Sequence, residues 1–360
     1  MLQTGEARIG LDGPTVTAED GFLTKVMISS MDVRKVIILI GAFYWIIMTI
    51  FIIPGVVVAT VSWFNWFEQK LCRMVNDHWS TTAQIAGINI MEYGDDISKL
   101  AEKRVLFLAN HLGLADHFVI MTALQNKGTI VEKYLWVIYN IWKMTPLGMM
   151  WIIHGNYFID GGTAKRNQMI KDFKIHLKRN YWKYDHRWII MYPEGARLYL
   201  IKESNARYAA REGYKIFRHC ALPRSGAAHA AIEIATNANY ATTNDSNESL
   251  EYIVDCTLGY QNGNVPNIRN WFLGDLSNGI LNVAIHYKIY QIRPEWKDEN
   301  ILRNWLYDIY EEKDELLEKY YQKGVFPINS QHHPIVIQKV EITTSKISSE
   351  DAITETSINR

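Results

Sequence analysis

From Val36 to Phe67 the chain is almost purely apolar, VIILIGAFYWIIMTIFIIPGVVVATVSWFNWF. A helix with no polar face has nothing to show water, so this run reads as a membrane segment rather than a buried core helix. Crossing a bilayer takes about 20 apolar residues. Pro54-Gly55 divides the run into Val36–Ile53, nearly long enough, and Val56–Phe67, which is too short. The run therefore acts either as one tilted or kinked helix or as a re-entrant hairpin that returns to the same side. Lys25, Arg34 and Lys35 before it and Lys70 and Arg73 after it leave the orientation open. Residues 1–33 are polar, glycine-rich and without hydrophobic period, which predicts a flexible tail.

Past Cys72 the pattern changes to short apolar runs alternating with amphipathic stretches. Val105–Leu108, Tyr157–Ile159, Trp188–Tyr192, Ile216–Leu222, Tyr252–Leu258 and Leu281–Ile289 read as strands. Leu114–Gln125, Thr163–Arg179, Ser204–Arg211, Ala227–Thr236 and Asn304–Lys323 read as helices, with Gly213 and Gly324 as stops. Strands alternating with helices predict an α/β fold, a mostly parallel sheet flanked by helices. Tyr134–His154 is a second apolar stretch, but Lys143, Pro146 and Gly148 interrupt it. It reads either as buried core with a turn or as an interfacial, lipid-facing patch. The organisation is then a tail (1–33), a membrane anchor (34–70), a catalytic domain (71–330) and a polar, Ser/Thr-rich C-terminal tail (331–360).

Composition narrows the partners. Lys+Arg and Asp+Glu both number 38, so a zero net charge gives no electrostatic footprint for nucleic acid. Twelve Trp and 20 Tyr suit interfaces, where rings with a polar tip are favoured. Three scattered cysteines (Cys72, Cys220, Cys256) make neither a disulfide framework nor a four-ligand zinc site.

Two loops carry candidate chemistry. Asn110-His111-Leu112-Gly113-Leu114-Ala115-Asp116 follows one expected strand and opens a helix, the edge of a parallel sheet where ligands bind. A histidine there can act as general base, and a carboxylate five residues on can fix its tautomer. Tyr192-Pro193-Glu194-Gly195-Ala196-Arg197 follows another strand; Gly195 allows close backbone approach, and Arg197 offers a planar fork for phosphate. His117, beside Asp116, reads as facing solvent or a helix groove, and Cys220 and Cys256 as core.

Together these blocks resemble the glycerophospholipid acyltransferase family, of the 1-acylglycerol-3-phosphate acyltransferase-like kind. Gly155-Asn156-Tyr157-Phe158-Ile159-Asp160 is similar to the family's second block, and Leu222-Pro223-Arg224-Ser225-Gly226 to its fourth. MEYGDDI, NHLGLAD, HGNYFI, WIIMYPEG, ALPRSG and NWLYDIYEEKDELLEKYY resemble the acyl-CoA:lysophosphatidylglycerol acyltransferase branch, over roughly residues 35–330. The resemblance implies a glycerolipid-acyltransferase-like fold and acyl transfer from acyl-CoA, a substrate rather than a cofactor, to a lysophospholipid at a bilayer. It implies His111 as base, Asp116 as its orienting partner, and Asn110, Glu194, Gly195, Arg197, Gly155, Phe158, Pro223 and Arg224 as substrate-binding residues. It implies no metal, no nucleic acid, and an endoplasmic reticulum membrane with the catalytic domain facing the cytosol. The chain departs from the family pattern at Ala196, where Thr is usual, at Gly161, where Arg is common, and in its polar C-terminus. Lys165 and Arg166 are the cations nearest Gly161 in sequence.

Lysophosphatidylinositol and lysophosphatidylethanolamine, with sn-1 among the positions acylated, are alternative acceptors; a membrane lipid-binding protein with a decayed site is the alternative of another class. The sequons at Asn244 and Asn247 lie in an expected loop and should be unmodified if the domain is cytosolic.

Overall fold

The computed structural model describes residues 61–160, 165–237, 249–268, 281–327 and the backbone of 335–336. The apolar run before Val61, the N-terminal tail, Gly161, both sequons and nearly all of the C-terminal tail lie outside these residues. Among the described residues no helix is long and apolar enough to cross a membrane.

The chain enters through α1 (Val61–Ile85), which runs past residue 70 without a break. Its buried positions Glu68, Leu71, Cys72, Val75, Asn76, Ser80 and Ala83 recur at three- and four-residue spacing, so one face of the helix packs on the core. There follow β1 (Ile88–Gly94), β2 (Val105–Ala109), α2 (Asp116–Leu124), β3 (Tyr134–Tyr139), α3 (Pro146–Ile153), β4 (Tyr157–Ile159), α4 (Arg166–Asn180) and β5 (Trp188–Met191). Then come α5 (Leu198–Glu212), α6 (Ser225–Ala235), β6 (Tyr252–Tyr260), β7 (Leu281–Gln291), α7 (Glu299–Lys323) and a two-residue strand β8 (Ile335–Val336).

The strands form one sheet in the order β4-β3-β5-β2-β6-β7-β1-β8. The first five are mutually parallel, which matches the expected topology. β7 then pairs antiparallel with β6, and β1 parallel with β7, so these two strands run against the rest. Two apolar layers cover the sheet. One gathers residues of α1, α2 and α3 with Phe107, Trp136, Trp188 and Ile190. The other gathers α4, α6 and the first half of α7 with Leu106, Leu108, Ile189 and Ile253. β2 and β5 send alternate side chains into the two layers, so every residue is buried and they read as unbroken apolar runs.

Two expectations are corrected, and one pair of alternatives is decided. Ile216–Leu222 is not a strand, since side chains satisfy its backbone instead. Asp314 of α7 accepts from Arg218 N and His219 N, and Asn205 from Leu222 N. Of the two readings of Tyr134–His154, buried core with a turn holds for most of the stretch: β3 is buried almost to its end and α3 on one side, with residues 140–144 an exposed 3-10 turn between them. α7 starts at Glu299, earlier than the hydrophobic period suggests, because the Asp298 side chain accepts from Asn300 N at 2.8 Å and caps it. Gly213 and Gly324 both take left-handed conformations and end their helices as expected.

Candidate active site

Because β3, β4, β5, β2 and β6 are parallel, their carboxyl ends share one edge, and three of the chains leaving it meet. β2 delivers Asn110 and His111, β5 delivers Tyr192–Arg197, and β6 ends on Tyr260. Asn110 locks this edge: its amide donates to Leu258 O at 2.9 Å and accepts from Leu258 N at 2.7 Å. It is wholly enclosed, so its polar atoms hold strands rather than face a ligand.

His111 Nδ1 lies 2.8 Å from Asp116 Oδ2. The same oxygen accepts from Leu112 N at 2.7 Å and Gly113 N at 2.9 Å, and Oδ1 accepts from the Tyr260 hydroxyl at 2.7 Å. A carboxylate that already receives three hydrogen bonds is an acceptor toward Nδ1–H, which leaves Nε2 with its lone pair. The tautomer is assigned from this network. The His111 side chain keeps 13 % of its surface exposed while Asp116 has none. The ring is held flat against Tyr192, centroids 4.1 Å apart and planes 15° apart.

Glu194 ties the loops together. One carboxyl oxygen accepts from His111 N at 3.0 Å and the other from Ala221 N at 3.1 Å. It is fully buried, and burial pushes its carboxyl up to about 8 against the pull of those two amides. Leu198 N donates to His111 O, and Arg224 N to Pro193 O, so the buried Pro223 and the segment around it are pinned beside Gly195. Gly195 has φ +75°, and a Cβ there would stand 3.3–3.4 Å from the Arg224 side chain. Glycine is therefore what lets Arg224 lie across this turn.

The mouth of the site is cationic. Arg197 precedes the first turn of α5 and Arg224 the first turn of α6, so two helix N-termini open here. Among the described residues no carboxylate pairs with Arg197 or Arg224. Partial burial, then the neighbouring Arg166, holds the Arg224 guanidinium below its ordinary range. An anion bound beside Arg224 would relieve its repulsion with Arg166.

The structure does not bring every expected residue here. Gly155 precedes β4, level with the start of β3 and so at the opposite edge; its carbonyl accepts from His176 Nε2 at 2.8 Å. Phe158 is a half-buried packing residue of β4. His117 faces neither solvent nor an open groove. It is enclosed by Trp136, Trp142, Trp151 and Tyr192, with ring centroids 5.1–6.1 Å away, and burial holds it neutral, well below the usual histidine range. Tyr260 is a site residue outside every sequence motif, and Tyr192 lies inside one without having been given a role. Their signal was position, one directly after a buried strand and the other at the end of one. Among the described residues no three His, Cys, Asp or Glu side chains are grouped to hold a metal ion.

Comparison with known proteins places the chain among acyltransferases. A family model described as Acyltransferase C-terminus matches residues 278–347, which include β7 and α7. A Caenorhabditis elegans protein provisionally named 1-acyl-sn-glycerol-3-phosphate acyltransferase acl-12 is 43% identical over 317 residues, 82% of this chain and 80% of that protein. Human acyl-CoA:lysophosphatidylglycerol acyltransferase 1 is 30% identical over 267 residues, 72% of each. The 2-acyl-1-lysophosphatidylinositol acyltransferase of Saccharomyces cerevisiae is 28% identical over 186 residues, 47% of this chain and 42% of the yeast protein. With an ordered His-Asp pair at the sheet edge and similarity spread over most of its length, this chain belongs to the glycerophospholipid acyltransferase family, of the 1-acylglycerol-3-phosphate acyltransferase-like kind.

Proposed function

We propose that this enzyme moves an acyl chain from acyl-CoA to the free hydroxyl of a lysophospholipid, with lysophosphatidylglycerol as the preferred acceptor. The observation that carries the reading is the 2.8 Å contact between His111 Nδ1 and Asp116 Oδ2, which leaves Nε2 for a substrate proton. In the proposed step, Nε2 takes the proton of the acceptor hydroxyl as its oxygen attacks the thioester carbonyl. The tetrahedral intermediate collapses, the C–S bond breaks, and the coenzyme A thiolate leaves as the sulfur regains a proton from the imidazolium. No protein nucleophile is required. Arg197, Arg224 and the two helix N-termini suit the acceptor's phosphate.

The apolar run of residues 36–67 supports attachment to a bilayer, where both substrates partition by their acyl chains. An endoplasmic reticulum membrane with the catalytic domain on the acyl-CoA side follows from the same reading. The acceptor is tested by offering stearoyl- and oleoyl-CoA against a panel of lysophospholipids to the detergent-solubilised full chain. The reading expects lysophosphatidylglycerol to give the highest kcat/KM. Preference for lysophosphatidylinositol, which similarity to the yeast protein favours, would replace that acceptor and keep the reaction. Absence of product with every acceptor would refute the transfer itself.

A further inference from the structure

We propose that the 3-10 turn Asn140–Met144 and the outer face of α3 form a second membrane-contact surface, seated on the lipid bilayer beside the mouth of the active site. The proposal rests on the membrane attachment read above and extends it to a surface of the folded domain.

α3 has the sequence PLGMMWII, with no polar side chain on any face. Leu147, Met150 and Trp151 point into the core, but Met149 and Ile152, three residues apart on the opposite side, are exposed. A surface helix normally shows water a polar stripe, and this one has none to show. The turn before it continues the patch. None of its residues is buried; Ile141 is 60 % and Met144 91 % exposed, and Tyr139 at the end of β3 is exposed beside them. These residues form a contiguous stretch of chain rather than scattered apolar positions, which need no explanation.

Three observations favour a bilayer over another protein. The first is charge: the turn and α3 carry no Asp or Glu of their own, their single Lys or Arg is Lys143, exposed in the turn as suits contact with phosphate headgroups, and the carboxylate beside them, Asp160, accepts from the Asn140 amide at 2.8 Å. The second is continuity. α3 packs against α1, whose exposed Trp66 is the penultimate residue of the apolar sequence run of residues 36–67. A chain that leaves a bilayer at that point brings α3 to its surface. The third is position relative to the chemistry. Trp142 in the turn stands 5.9 Å from the His117 ring, which stands 5.8 Å from His111. The turn therefore lies two ring contacts from the base, so an acceptor leaving the bilayer over Ile141 and Met144 would travel only a short way to His111.

The native cysteines Cys72, Cys220 and Cys256 are all buried, so one introduced cysteine can be labelled selectively. The test places an environment-sensitive nitrobenzoxadiazole label on Met144→Cys of the full chain in phosphatidylcholine–phosphatidylglycerol vesicles that carry doxyl lipids. Glu312→Cys on α7, on the opposite face of the sheet, is the control. The expected result is at least about twofold stronger quenching at position 144 than at 312. Equal quenching overturns the proposal. So does a label at 144 shielded from both water and doxyl lipid, because a second copy or another segment of this chain then covers the patch. This readout needs no acyl transfer, so its failure is separable from failure of the proposed reaction.

A kinetic arm follows the same surface. Ile141→Asp/Met144→Asp should raise KM for a long-chain lysophospholipid presented in vesicles about tenfold, the weight of one buried apolar side chain. Turnover of a short-chain acceptor dissolved as monomer should stay unchanged. Equal loss on both acceptors would overturn the proposal, since the substitutions would then act on the fold or the chemistry.

Discussion

At Asp116 four hydrogen bonds converge, and the one from Tyr260 is the most instructive, because no motif contains it. Its hydroxyl, 2.7 Å from Oδ1, keeps the carboxylate turned toward His111 from the side the backbone amides do not reach. Tyr260→Phe should lower kcat roughly tenfold, the worth of one hydrogen bond to a charged group, with KM little changed. Steady-state kinetics on both proteins check this; an unchanged kcat would show that Leu112 N and Gly113 N suffice. Glu194 gives a second expectation. Its value in the folded protein, about 8, lies above its ordinary 4.5, so the folded state holds a proton that the unfolded chain releases. That contribution to stability is full below about pH 4.5 and declines as pH rises toward about 8. Glu194→Gln removes this slope. It also turns an amide N–H toward one of two backbone donors, at a cost of roughly 1–3 kcal/mol. Urea unfolding should show a lower midpoint near about pH 5 and a flatter decline above it. An unaltered pH slope would place the proton elsewhere.

Among the elements, α1 joins the entering chain to the catalytic fold. The buried pair of Glu68 with His154 ties it to the end of α3, and Lys70 and Arg73 tie it to Glu132. Removing one member of a buried pair leaves the other charge without compensation, so His154→Ala should destabilise the protein by about 3–5 kcal/mol. Chemical denaturation measures this, and a loss below about 1 kcal/mol would mean Glu68 finds another partner or takes a proton. α7 plays the corresponding part on the other face. Its Asp314 holds the backbone of Arg218 and His219, two residues ahead of the amide that Glu194 accepts, and its Lys313 meets Asp255 at 2.8 Å inside the core. The reading of 216–222 as a strand failed for this reason. An apolar run has strand character only if a neighbouring strand takes its hydrogen bonds, and here carboxylates do. β3 was hidden for the opposite reason. A parallel strand buried on both faces is as uniformly apolar as a lipid-facing segment, and the sequence around Trp136 and Trp142 cannot separate the two.

Across the whole molecule, the parallel half of the sheet was legible because β2 and β5 are short apolar runs bounded by turn residues, each followed by a chemistry-bearing loop. Those same loops made the family visible. The reversed half was less so: β7 alternates as an antiparallel strand should, but its parallel pairing with β1 joins Ile88 to Leu281, nearly two hundred residues apart. Site residues supplied by one continuous block, His111 with Asp116, were readable from spacing. Those assembled from separate blocks were not: Glu194 looks like a ligand residue in sequence and proves a brace in space, and Gly155 stands at the far edge of the sheet. The arrangement puts a neutral aromatic cluster beside the base, guanidiniums on the loops that meet it and an apolar surface next to that cluster, an order suited to a substrate with an acyl tail and an anionic head.

The central claim is that His111 is the base for acyl transfer. Its most direct test compares wild type, His111→Ala and Asp116→Asn, each shown to be folded, in transfer of a labelled acyl group from acyl-CoA to the preferred lysophospholipid. The account predicts a loss of about 10²–10⁴-fold for His111→Ala, the usual weight of a positioned base, and a smaller but clear loss for Asp116→Asn. Transfer by His111→Ala at the wild-type rate would contradict it.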